Sequence, residues 1–326
     1  LITVLKPGPL ASVQDLGRPG YRHLGVGLSG ALDALALAIG NALVGNAPGA
    51  AGLELTLPPA RLRFESPCTI ALTGAPCAAQ LDQTPVGAGR RIAVAAGQTL
   101  DLAQPHAGVR AYLCVGGGID VPPLLGSRST DLAAHLGGYA GRALRAGDAL
   151  PIAAPAPRGP DAPGGMVAPA AGVAAAVLLP ERGGAIRVMA GPEFDEFDAA
   201  AHEALFRSDW TVTPQSNRMG FRLAGGSLRR KVTTPLNSHA VFPGLIQVPP
   251  AGTPIVLMAD AQATGGYPRI GTVIAADLWR MAQVRPGATL RFEPATRAQA
   301  QAAWHRQQMY LQRMRASLGA HRCTSI

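Results

Sequence analysis

Lysine is almost missing from this chain. Lys6 and Lys231 are the only two in 326 residues, so the net charge of +9 rests on arginines scattered along the whole length. No run of five or six basic residues occurs. Nucleic-acid binding draws on a clustered basic face, so nucleic acid is not an expected partner. A diffuse positive field suits anionic substrates or an acidic partner protein. Cysteine is scarce too: Cys68, Cys77, Cys114 and Cys323 form no CxxC pair and no zinc spacing. That pattern reads as reduced thiols in a cytoplasmic protein with no metal centre. Long apolar runs are also lacking. The most apolar tract, Val167 to Leu179, is about 13 residues and is broken by Pro169 and Gly172, whereas a membrane span takes roughly 18 or more. Leu1 opens directly into a strand-like LITVL with no signal-peptide pattern. There is no GxxxxGK[ST] phosphate loop, no HExxH, no GxSxG elbow and no biotin-acceptor sequence.

Turn formers are abundant, with 40 glycines and 29 prolines. Between them lie short apolar or alternating segments such as Leu53 to Leu57, Arg61 to Phe64, Thr69 to Leu72, Ile92 to Leu102 and Val109 to Val115. Spacings of about ten residues suit a β-barrel or sandwich, so the chain is expected to be mainly β with a few helices. The expected units are 1–155, with a helix over 31–44; a linker rich in Ala, Pro and Gly over 156–184; a second β-rich unit over 185–294; and an amphipathic helix with a tail over 295–326. Short helices are also expected over Asp131 to His135, Glu193 to Phe206 and Asp277 to Ala282.

Three stretches gather polar groups. Gly25 to Gly30 matches GxGxxG before a helix, but no βαβ pattern surrounds it, which argues against a dinucleotide site. A helix start can still hold an anion or carbonyl through its N–H groups, with Ser29, Gly30 and Asp33 at that position, or Ser29 can act only as the cap. In Gly126 to Asp131, Arg128 is a candidate charge partner for a carboxylate or phosphate, against a plain Ser/Thr turn capping the next helix. The third stretch is Pro243 to Ile274. Two buried strands there are joined by Asp260, Gln262, Thr264, Gly265, Gly266 and Tyr267, a carboxylate, an amide, a hydroxyl and a phenol on one sharp bend. His239 precedes it as a candidate general base, and Arg218 as a candidate anion ligand; the alternatives are a structural histidine and an ordinary ion pair. The bend and the leading end of the 31–44 helix are expected to face one hollow.

The segments SVQDLGRPGYRHLGV, SGALD, NALVGN, GGIDVPPLLGSRSTD, GRALRAGD, RMGFRL and IQVPPAGTPIVLMADAQATGGYPRIGTVIAADLWRMAQVRPG resemble, in order, the allophanate hydrolase subunit 2 family. That family includes KipA, the C subunit of bacterial 5-oxoprolinase and the carboxyltransferase part of urea carboxylase. The resemblance covers about Val4 to Phe292 and implies two cyclophilin-like β-barrel units. It implies ATP-dependent opening of 5-oxo-L-proline to L-glutamate, with Mg-ATP used at the level of a complex. The implied partners are two further subunits, one KipI-like and one LamB/YcsF-like. Two alternatives are carboxyl transfer from carboxybiotin to urea or a related amide, and a non-catalytic regulator of a KipI-like partner. Asp260, Gln262, Tyr267 and His239 then stand as catalytic candidates, with Ser29, Gly30, Asp33, Arg128, Arg218, Gly265 and Gly266 around the substrate. His239 departs from the acidic or small residue many members carry there.

Overall fold

The structure, a computed structural model, describes residues 1–154, 185–232 and 234–320. The expected linker over 156–184, Cys323 and the final six residues lie outside the described residues. The chain forms two compact units. One comprises 1–18, 29–154 and 308–320, and the other 19–28 and 185–307.

The described residues of the first unit form eleven strands: β1 (Ile2–Lys6), β2 (Leu10–Gln14), β3 (Gly52–Thr56), β4 (Ala60–Phe64), β5 (Cys68–Gly74), β6 (Ala79–Leu81), β7 (Thr84–Val86), β8 (Arg91–Val94), β9 (Thr99–Leu102), β10 (Arg110–Val115) and β11 (Ala149–Leu150). They make a six-stranded sheet, β11-β1-β4-β9-β6-β7, and a five-stranded sheet, β2-β3-β10-β5-β8. Every pairing is antiparallel, so no dinucleotide-type βαβ unit exists around Gly25–Gly30. Val4, Leu62 and Leu100 from one sheet meet Val13, Leu53 and Leu113 from the other in a single buried cluster. Strand β4 shows the cause: in ARLRF the apolar positions are buried and both arginines exposed, the period of two that turns alternate side chains inward.

Strand β10 is buried along its whole length. Ala111, Leu113 and Val115 face the inter-sheet core, while Tyr112 and Cys114 join a second cluster with helix α1 (Ala34–Val44). A strand covered on both faces reads as a continuous apolar run rather than an alternating one. The helix is likewise buried on most faces, from Ala36 to Val44. It begins three residues later than expected, and Asp33, not Ser29, is its cap, accepting from the Ala36 N–H at 2.8 Å. No helix forms over 131–135. The Asp131 carboxylate accepts from the N–H groups of Ala133 and Ala134, as a cap would. The backbone then bridges Asp131 to Leu136 and turns through left-handed His135, Gly137 and Gly138, which ends any helix.

The second unit contains β12 (Ile186–Ala190), β13 (Trp210–Val212), β14 (Gly220–Ala224), β15 (His239–Ala240), β16 (Leu245–Gln247), β17 (Ile255–Leu257), β18 (Thr264–Gly265), β19 (Arg269–Val273), β20 (Thr289–Leu290) and β21 (Phe292–Pro294). Eight of them form one sheet, β20-β13-β14-β17-β16-β19-β12-β21. Its two edge strands, β20 and β21, are separated in sequence only by Arg291, so the sheet curls back on itself into a nearly closed barrel. Residues 289–294 thus supply both short edges of the sheet. The expected helix over 193–206 is also divided. Phe197 is fully buried in an extended bridge to Arg230, and Asp198 then caps a new helix, α2 (Ala199–Arg207), through the Ala201 N–H. Helix α3 (Leu278–Gln283) follows β19. Helix α4 (Arg297–Ala320) gives Ala300 and Ala303 to a cluster of the second unit, and Tyr310, Leu311, Met314 and Leu318 to the α1 cluster of the first. Trp304 on the same helix is 46% exposed. No helix among the described residues is long and apolar enough to cross a membrane.

Candidate functional site

Strand β17 ends at Leu257, but its hydrogen-bond ladder runs on. The N–H groups of Met258 and Asp260 donate to the carbonyls of Met219 and Arg218, at 2.9 and 3.0 Å. The two side chains at the end of that ladder then pair. Arg218 Nε donates to Asp260 Oδ2 at 2.8 Å and Nη2 to Oδ1 at 2.9 Å, with both side chains at most 5% exposed. The pair brings two of the expected residues together and changes their reading. Arg218 directs its fork at Asp260 rather than outward, and Asp260 is held as the partner of a cation. A buried bidentate pair of this kind fixes a loop.

Beyond Asp260 the chain opens toward solvent. Gln262 is exposed, and its carbonyl accepts from Arg22 Nη2 at 2.8 Å; the same guanidinium also donates to the carbonyl of Val241. Arg22 thus stitches the 19–28 segment to the bend. Thr264 and Gly265 pair with Ala240 and His239 in a two-stranded ribbon. Gly266 follows, and Tyr267 is 46% exposed. His239 Nδ1 lies 3.0 Å from the Asn237 carbonyl. A carbonyl only accepts, so Nδ1 donates to it, and Nε2 is buried with no described partner.

Two residues here were not anticipated from sequence. Glu193 takes the N–H and the guanidinium of Arg269 on both carboxylate oxygens. Burial works to raise the Glu193 carboxyl, but the Arg269 hydrogen bonds and charge, together with the nearby His239, outweigh it and hold the group below the usual glutamate range. Gln247 is buried beside Gly265, where an added Cβ would fall 2.9 Å from Gln247 Nε2.

In the first unit, Ser29 and Gly30 are consecutive left-handed residues, with φ of 54° and 94°. Gly30 lies so close to the 16–17 backbone that a Cβ would meet Gly17 N at 2.7 Å. The N–H groups expected to serve a ligand are already engaged. Ala31 donates to the Asp15 carbonyl at 2.8 Å, Leu32 to Glu54 Oε2 at 2.9 Å and Asp33 to Tyr112 Oη at 2.8 Å. Tyr112 in turn donates to Glu54 Oε2 at 2.6 Å. Burial first, and then the Glu54 and Asp33 charges, push the Tyr112 phenol well above its ordinary value, so it stays protonated. With Asp33 a cap and these N–H groups spent, the helix start is not an open anion site. Arg128 is directed to Asp120 and the Val121 carbonyl, and its side chain is 39% exposed.

Asp15 organises the loop beside Arg128. It accepts from Gly17 N, from the Ser127 and Ser129 hydroxyls and from Arg128 N. Next to it lies Arg18, wholly buried, with Nη2 on the Ser129 carbonyl and with Nε and Nη1 unmet. Arg18 sits in the QDLGRPG segment quoted for its resemblance, but a turn-like run between glycines gives no sign of burial.

A family model described as carboxyltransferase domain, subdomain A and B, matches residues 24–294. The chain is 44% identical over 314 residues to an Escherichia coli protein named as the C subunit of 5-oxoprolinase, covering 96% of this chain and 97% of that protein. It is 40% identical over 315 residues to the Haemophilus influenzae protein of the same name, covering 97% and 98%. The crystal structure of Kluyveromyces lactis urea carboxylase superimposes with a TM-score of 0.86 at 30% identity. That match covers 96% of this chain but only 29% of the larger one.

Proposed function

Given that the chain belongs to the carboxyltransferase domain family, subdomains A and B, we propose that it is the C subunit of a 5-oxoprolinase. In this reading it opens 5-oxo-L-proline to L-glutamate with ATP hydrolysis, in the cytoplasm, assembled with one KipI-like and one LamB/YcsF-like partner. The observation that carries the reading is extent: the match to the Escherichia coli protein runs through 97% of its length, whereas urea carboxylase is matched over under a third. The chain's own residues do not fit a Mg-ATP site. The sequence has no phosphate loop, and the described residues include no group of three His, Cys, Asp or Glu able to hold a metal ion. No step through the nucleotide is assigned to this chain.

What the chain supplies is handling of a planar N–C=O group. Amide resonance protects the lactam, and opening it needs donors on the oxygen and an acceptor for a proton from water. Gln262 and Tyr267, exposed on the bend, provide amide and phenol donors. His239, its Nδ1 turned to the Asn237 carbonyl, is the base assigned to take the proton at Nε2. Gly265 and Gly266 keep the ribbon free of side chains where the ring approaches. Asp260 and Arg218 act as positioning residues that hold the bend. His239→Ala in the reconstituted complex should lower kcat by about 10²–10⁴-fold, measured as ATP- and oxoproline-dependent glutamate release. Undiminished turnover removes His239 from the chemistry, and absence of turnover in the wild-type complex rejects the function. The fold match to urea carboxylase favours one second reading, carboxyl transfer from carboxybiotin to a urea-type amide, which would appear instead as bicarbonate incorporation with a biotin carrier.

A further inference from the structure

The polar bend of the second unit has a cation beside it whose charge nothing described answers. Arg218 and Arg269 flank the bend, and each is matched by a carboxylate, Asp260 and Glu193. Arg22 belongs to the same unit and is not matched. Its Nη2 donates to the carbonyls of Val241 and Gln262. Those oxygens accept hydrogen bonds but carry no net charge. Among the described residues Arg22 has no ion pair, Nη1 is sealed without a partner, and Nε makes no hydrogen bond and is not among the sealed atoms. Burial alone pulls the guanidinium below its usual value, with no charged neighbour to offset it. A part-buried cation served only by neutral groups gains from an anion that reaches it.

The side facing the bend is open. Gln262 is exposed, Tyr267 is 46% exposed, and the Arg22 contact with the Gln262 carbonyl lies at the surface. The ribbon also sets a spacing. His239 pairs with Gly265 and Ala240 with Thr264, and the Val241 N–H donates to the Ala263 carbonyl at 3.0 Å. Arg22 holds the carbonyls at the next step along, on both strands. Its anchor at Val241 is therefore two residues from His239, about 7 Å at the usual strand rise. In a five-membered lactam acid the carboxylate carbon and the lactam carbonyl carbon are three bonds apart, about 3.8 Å. A hydrogen bond at one end adds about 3 Å. An acid held at Arg22 has its lactam within reach of the groups already assigned to it.

We propose that Arg22 is the anion ligand of the bend, receiving the carboxylate of a small acid at Nε and so selecting anionic lactams over neutral amides. Arg218 and Arg128, the arginines first expected in that role, are directed at Asp260 and Asp120. Identifying the acid as 5-oxoproline rests on the function proposed above; the preference for an anion does not.

The test titrates the full chain, alone and in the assembled complex, with 5-oxoproline and with its neutral carboxamide. Wild type should prefer the acid by about tenfold or more. Arg22→Met and Arg22→Gln should abolish that preference, and Arg22→Lys should keep part of it. The ratio matters because Arg22 also ties the 19–28 segment to the bend, and loss of that tie alone weakens both ligands equally. Should Arg22→Met fail to fold, Arg22→Gln decides, since its amide still donates to a carbonyl. No preference in wild type, an equal loss for both ligands, or no loss for either overturns the proposal and leaves Arg22 as a tie. If the complex turns over 5-oxoproline and Arg22→Gln leaves KM unchanged, the subsite fails while the 5-oxoprolinase reading survives. If there is no turnover and neither lactam binds, but wild type, unlike Arg22→Gln, binds acetate, the subsite survives and that reading falls. Absence of any Arg22-dependent binding rejects the subsite.

Discussion

At the scale of single residues, the Arg218–Asp260 pair decides how the bend behaves. Both side chains are buried, so removing one strands the other's charge. Asp260→Ala should therefore cost about 3–5 kcal/mol, whereas replacing both with apolar residues of similar size should cost much less. Urea unfolding with an unchanged m-value would measure it, and a loss under about 1 kcal/mol would mean the pair is effectively solvated. Glu193 makes a pH statement. Its carboxyl is held below the usual range chiefly by Arg269, against the upward push of burial. It therefore adds stability that is complete above the ordinary glutamate range and is lost as pH falls through the lowered folded value. Glu193→Gln should flatten the acid limb of the melting temperature against pH and leave its slope at neutral pH unchanged. Neither pairing was legible beforehand, because partners 42 and 76 positions apart are joined only by the fold.

At the scale of elements, the entry to α1 is locked by one phenol. Tyr112, on a strand buried on both faces, accepts from Asp33 N and donates to Glu54. Tyr112→Phe keeps the ring and deprives two buried groups of a partner, so a loss of about 1–3 kcal/mol is expected. Hydrogen exchange should show the 31–36 amides opening first; a neutral outcome would mean the helix start is held by packing alone. Most strands could be read from alternation or apolar runs, and α1 was expected over 31–44, where left-handed Gly45 ends it. Strand β2 could not, because Ser12 and Gln14 look like surface residues and are buried. The 131–135 helix misled for the opposite reason: Asp131 caps like a helix start, but the chain then enters left-handed turns. Among the site residues, the exposed bend at 262–267 was visible as polar groups between strands. Arg22 was not, since only the fold sets it against that bend.

At the scale of the whole molecule, a charge of +9 without basic clusters favours long-range steering over a single anchoring patch. If the chain works in a complex with acidic partners, association should slow as salt shortens the Debye length from about 10 Å at 0.1 M to about 3 Å at 1 M, while dissociation changes little. Surface plasmon resonance across that range would show it, and a salt-independent on-rate would instead point to apolar docking. Residues 19–28 carry a different consequence. They leave one unit, count with the other and tie its bend through Arg22, yet they emerge from the ribosome long before residue 185. At typical elongation rates of about 5–20 residues per second, that delay is on the order of ten seconds. During that wait the carbonyls that Arg22 will hold do not yet exist, so the decapeptide can be captured only once the barrel's chain has been made.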